Sequence, residues 1–151
     1  MELEATQVRK IILDEHSVLR NELKDIVTLV ADAAVQRGEV AERLCHRLNN
    51  FYDAFLKHIA HEGSLLRPVL ADIDAWGPVR VEKLDDEHRQ QRATIAALMA
   101  LDPKEDLEGY LGRVKAFARA VAMDMEAEER ECLSTAVLRD DTSIVLDTFT
   151  G

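Results

Sequence analysis

The chain has 151 residues, 47% of them apolar and 32% charged, the ordinary mix of one globular domain with a core of its own. A formal net charge of −10, with no basic cluster anywhere, repels phosphate backbones and excludes nucleic acid as the expected partner. Neither end carries an apolar run long enough for a signal peptide or a membrane span, so the expectation is a cytoplasmic protein without a membrane partner.

Aromatic residues make up only 5%, and six glycines and three prolines leave little turn punctuation, which favours a few long helices over many short strands. Cys45 and Cys132 are far apart and form no CxxC pair. In a reducing compartment they read as free buried thiols, with one bridge as the alternative.

Apolar residues recur at spacings of three and four, the helical period, through four segments. The first runs from about Glu4 to Gln36 on a stripe of Val8, Ile12, Leu19, Leu23, Ile26 and Val30, and Gly38 is expected to end it. A second runs from about Glu39 to Leu66 and carries Leu44, Leu48, Phe51, Phe55, Leu65 and Leu66. Pro68 disturbs it, and Trp76-Gly77-Pro78 closes the connection. The third starts near Pro78 and carries Val81, Leu84, Ile95 and Leu98, stopping before Asp102-Pro103. Asp102 as N-cap, Pro103 at the first helical position and Glu105 three residues after the cap predict the start of the fourth. That helix carries Leu111, Val114, Ala118, Val121, Met125 and Leu133 and is expected to reach about Val137. Short connections between four long amphipathic helices predict an all-α, antiparallel up-down-up-down four-helix bundle over residues 1–138. Residues 139–151 read as a tail whose Ile144, Val145, Leu146 and Phe149 could dock on the bundle or join two copies as a homodimer.

The apolar stripes are interrupted, always by the same kind of chemistry. His16 fills the gap between Ile12 and Leu19, His58 and Glu62 the gap between Phe55 and Leu65, and His88 the gap between Leu84 and Ile95. In the fourth helix Glu128 breaks the stripe between Met125 and Cys132, and Asp124 lies one turn earlier on the margin of that face. Burying such groups unpaired costs several kcal/mol apiece. A cation held by imidazole nitrogen and carboxylate oxygen offsets that cost, and this donor set suits iron or manganese rather than thiolate-bound zinc. His58 and Glu62 are four apart and share a helix face.

Other readings stand beside these. A single inward histidine is more often a hydrogen-bonded core residue, and Glu128 sits in an acid run with Glu126, Glu129 and Glu131 that reads as a solvated face except for its phase. Asp124 reads equally as a ligand or as a surface acid. Glu15 and Glu87, each preceding a histidine, are partners of those rings or solvated acids. His46 and His61 read as surface residues, and Tyr110 and Cys132 as packing.

There is also an internal echo. LDEHSVLR in the first helix answers LDDEHRQQR in the third, and His58 with Glu62 answers Asp124 with Glu128. Two similar helix pairs fit a pseudo-twofold bundle with two metal positions.

The order EH, then HxxxE followed by LLxP, then EH, then an EE pair resembles the hemerythrin-like (HHE cation-binding) family over about residues 10–135. The resemblance implies a bundle around a non-haem di-iron centre. His16, His58 and His88 would be terminal ligands, and Glu62 and Glu128 the bridges. Two departures qualify it. Asp124 stands where the family has a histidine four residues before the bridging glutamate, so one metal position would be oxygen-rich. Leu84 and Arg92 flank His88 where the oxygen carriers have a second histidine, which points to sensing, iron handling or nitrosative-stress repair. The function implied is binding or responding to O2 or NO, or handling iron. A metal-dependent oxidoreductase or peroxidase, or a bundle without metal acting as an interaction module, are the alternatives.

Overall fold

The structure is a computed structural model and describes residues 3–140. Its helices are α1 (Ala5–Gln36), α2 (Glu39–His61), α3 (Arg67–Ile73), α4 (Gly77–Met99) and α5 (Leu107–Glu131), with a five-residue π-helical turn, Glu62–Leu66, joining α2 to α3. No strand occurs among the described residues. Contacts of α1 with α2 and α5, and of α4 with α2 and α5, close the four long helices into the expected bundle. No helix among the described residues is long and apolar enough to cross a membrane. The docking or dimer role read for the tail falls on residues 141–151, outside the described residues.

Each helix buries the stripe its spacing defines. In α1 these are Val8, Ile12, Leu19, Leu23, Ile26 and Val30; in α5 they include Leu111, Val114, Ala118, Val121 and Met125. The buried apolar residues fall into two clusters. The larger contains Leu19 to Ala33, Phe51, Phe55 and Ile59, Ile95 and Leu98, and Tyr110 to Met125. The smaller contains Val8, Ile12, Leu66, Leu70, Val81, Leu84, Cys132, Leu133 and Leu138. On every long helix the gap between the two clusters falls at a histidine or a glutamate.

Three boundaries differ from the sequence reading. The second helical segment does not stop at Pro68. It widens instead: the Arg67 N–H reaches the Glu62 carbonyl five residues back, and the helix continues to Ile73. A proline ring clashes with the carbonyl four residues earlier and offers no N–H, so a wider turn just before Pro68 relieves both problems.

The last helix starts at Leu107, not Pro103. Asp102 accepts from the Lys104 N–H at 2.9 Å and closes a local turn, whereas Asp106 accepts from the Gly109 N–H at 3.0 Å and caps α5. Two cap residues compete four positions apart. The second is favoured because it starts a helix that brings Tyr110, Leu111 and Val114 to the core. The same helix ends at Glu131 rather than Val137. The chain turns there, with Leu138 N–H donating to the Ser134 carbonyl, and so buries both Leu133 and Leu138 in the smaller cluster.

Two close passages depend on glycine or on strain. A Cβ at Gly77 would sit 2.2 Å from the Leu70 carbonyl oxygen, so only glycine lets α4 start against α3. Between α1 and α2, Arg37 (φ 53°, ψ −163°) and Gly38 (φ 56°, ψ −117°) both lie at positive φ, in regions that glycine alone occupies without cost. Gly38→Ala is therefore expected to lose about 1–2 kcal/mol in denaturant unfolding, and Arg37→Gly to gain about 1 kcal/mol. Equal effects of the two changes would show that this turn relaxes freely.

Candidate metal centre

Five polar side chains occupy the layer between the two apolar clusters: His16 (0% exposed), His58 (3%), Glu62 (2%), His88 (4%) and Glu128 (6%). One comes from each of α1, α2, α4 and α5, and Glu62 from the π turn. Ligand atoms of His16, His58, Glu62 and Glu128 all lie within 4.8 Å of one another. His58 Nε2 is 3.0 Å from Glu62 Oε1, and His88 Nε2 is 3.1 Å from the same oxygen. His16 Nε2 is 3.2 Å from Glu128 Oε1, but the two are not aligned to hydrogen-bond.

Outer groups fix how the rings face. Ionised carboxylates only accept, so the ring nitrogen that meets one carries the proton. His16 Nδ1 donates to Glu129 Oε2 at 2.7 Å, and the Arg20 guanidinium holds Glu129 at 2.7 and 2.9 Å. His58 Nδ1 donates to Glu15 Oε1 at 2.8 Å, and His61 binds the other Glu15 oxygen at 2.5 Å. Both rings therefore turn Nε2 inward. A carboxylate behind a histidine in this way orients it for a metal and raises its basicity.

The electrostatics describe a cluster that shares protons. Burial pushes Glu128 well above the usual carboxylate range, and its neighbour Glu62 pushes it further. Burial also opposes ionisation of Glu62, but the neighbouring Glu128 carboxyl and the His58 and His88 rings overcome it and hold Glu62 below its ordinary value. Burial likewise disfavours a charged His58, yet its bonds to Glu62 and Glu15 outweigh burial and keep it charged to higher pH. For His16 burial wins over the Glu129 bond, and its pKa is lowered. Glu129 stays ionised below the usual range, because Arg20 and His16 outweigh its partial burial.

Three buried atoms in this layer have no hydrogen-bond partner: His16 Nε2, Glu62 Oε2 and Glu128 Oε1. An orphaned buried polar atom costs about 1–3 kcal/mol, and two adjacent carboxylates add repulsion. One cation among these donors would satisfy them together. The set offers imidazole nitrogen and carboxylate oxygen only. Cys132 is buried nearby but lies outside the converging group, and burial and the neighbouring carboxylates push its thiol up to about 11.

Of the six residues read as candidates, four converge and His88 joins them through Glu62. Asp124 stands apart: it is half-buried and accepts from the Gln91 side-chain amide at 3.0 Å. Glu15 bonds to His58, whereas Glu87 meets no histidine. Burial, Asp124 and Glu62 push the Glu87 carboxyl up to about 8. His46 is exposed, and Tyr110 packs in the core with its hydroxyl 3.4 Å from Cys45 Sγ. Both cysteines are free thiols. Sequence reasoning missed Glu129 and Arg20. The available signal was their phase: Arg20 stands four residues after His16 on one helix face.

A closed ring of four antiparallel helices with histidines and glutamates in its middle layer is the architecture of a helical cation-binding domain. The family model for the hemerythrin HHE cation binding domain matches residues 7–136, and the chain belongs to that family. No curated protein and no solved structure matches it significantly.

In the metal-free protein Glu128→Gln keeps the shape and removes the acid. A carboxyl whose folded pKa is raised contributes stability that is lost as pH rises through that value. The metal-free wild type should therefore melt progressively lower than Glu128→Gln as pH rises above about 5. Parallel melting curves across pH 5 to 8 would place the Glu128 proton elsewhere.

Proposed function

We propose that the chain is a non-haem iron protein that binds its metal at His16, His58, Glu62 and Glu128, and that it binds or responds to O2 or NO or handles iron. The observation carrying this reading is that His16, His58, Glu62 and Glu128 bring ligand atoms within 4.8 Å of one another, and that three of these residues each hold a buried atom without a partner. Mixed nitrogen and oxygen donors without thiolate suit iron first and manganese second. When bound, such a metal supplies an exchangeable position for a small ligand and a change of redox state.

The chain's own residues do the rest. Glu15 and Glu129 keep the His58 and His16 rings in one orientation, and buried Leu84, Ile12 and Met125 keep water from the layer. Glu62 stands between His58 and His88, touching both with one oxygen, which supports a two-metal arrangement with Glu62 shared. His88 and Glu128 would then serve the second position, with Asp124 as a further donor if Gln91 releases it. Buried Leu84 and exposed Arg92 beside His88 leave that position poor in imidazole, which supports sensing or iron handling over dedicated oxygen carriage.

Anaerobic loading with ferrous iron should leave about one to two irons per chain after desalting, and a visible band should appear on exposure to O2 or NO. Glu62→Ala should abolish retention, and Glu129→Gln should weaken it by roughly 10–100-fold. A chain that retains no iron, or a Glu62→Ala variant that retains as much as the wild type, would remove this reading.

A further inference from the structure

The two halves of the donor layer echo each other in sequence, α1 with α4 and α2 with α5, so that Glu15 answers Glu87 and His58 answers Asp124. On the first side Glu15 fills the space between helices by bonding His58 and His61. The second side has no such closure. Position 124 is an aspartate, so the contact equivalent to Glu15 with His58 would set one carboxylate against another. Asp124 turns to Gln91 instead, and Glu87 makes no hydrogen bond or ion pair among the described residues, with Lys83 acting on it only at longer range.

A cavity of about 260 Å³ opens between α4 and α5 at this point, walled by Glu87, Gln90, Asp124, Ala127 and Glu131, with Glu128 among its walls. Glu128 is almost wholly buried, and from this wall its unpartnered Oε1 reaches the donor layer, 3.2 Å from His16 Nε2. Two basic residues line the rim, but both are engaged: Arg80 with Asp74 at 2.7 Å and Lys83 with Glu131 at 2.5 Å. The cavity thus runs from two half-buried carboxyl groups to a buried carboxyl of the donor layer. An ion with six waters of about 30 Å³ each occupies roughly 200 Å³, so a hydrated divalent cation fits.

We propose that this cleft is the route by which the metal reaches the centre: Glu87 and Asp124 take a divalent cation from solvent and hand it to Glu128. The inference rests on the metal-binding reading above. Oxygen donors suit a transit station, because carboxylates replace waters one at a time, while the imidazoles deeper in the layer hold the ion more strongly. Glu87 in this role lies outside the final donor set, so its removal changes how fast the metal arrives and not how much is held.

The test is cobalt(II) uptake followed by visible absorption in stopped flow, at low and high salt. Glu87→Gln should bind as much cobalt as the wild type with the same final spectrum, but at a rate roughly tenfold lower at low salt. Ala127→Trp narrows the cleft without changing charge and should slow uptake at both salt concentrations, since a steric barrier is not screened. Wild-type rates in Glu87→Gln would overturn the route. A lower final amount of cobalt in Glu87→Gln would also overturn it, by making Glu87 a ligand of the centre. A wild-type chain that takes up no cobalt and no iron would instead remove the metal-binding reading itself.

Discussion

A layer of five buried polar side chains cuts the hydrophobic core in two, and the rest of the structure is arranged around the cost of that layer. A bundle of this length could have been apolar from end to end. Instead the larger and smaller clusters meet His16, His58, Glu62, His88 and Glu128 from opposite sides. Apolar packing above and below excludes water, which strengthens every interaction within the layer and makes every unmet donor or acceptor expensive. Glu15, Glu129, Arg20 and His61 answer part of that cost from the outside. The part left unmet faces the centre.

The fold and the inward donors could be read in the sequence because both follow from helical phase. His16, His58 and His88 stand where an apolar residue was due, and each is buried. Glu128 was separable from the acids around it only by its phase, and that was enough. What phase cannot give is which neighbour lies across an interface. Glu129 was indistinguishable from a solvated acid until α1 brought His16 and Arg20 against it, 113 and 109 residues away in the chain. Boundaries failed for a related reason. Asp102 and Asp106 both satisfy the local rules for a cap, and only the core decides between them. Pro68 reads as a disturbance just past Leu66, yet a widened turn absorbs it with one irregular hydrogen bond.

That widened turn lies next to the chemistry. Glu62 is its first residue, and its carbonyl takes the five-residue bond from Arg67. Glu62 and Leu66, its first and last residues, both face inward, although they belong to different layers of the core. The irregularity that accommodates the proline thus begins at the carboxylate that stands between two histidines, which the last regular turn of α2 has already placed four residues after His58.

The connectivity of the bundle has a consequence for the order in which the molecule forms. α1 and α2 are joined by a two-residue turn, so their pairing needs little chain entropy and is the most local long-helix contact in the fold. That hairpin with the π turn already contains His16, His58, Glu62 and the Glu15 link between its two arms, 43 residues apart. Glu128 and Glu129 arrive only when α5 closes against α1, the slowest kind of contact to make. Three of the four converging donors therefore lie within the first sixty-six residues, on one hairpin and its π turn, and α5 brings only the fourth.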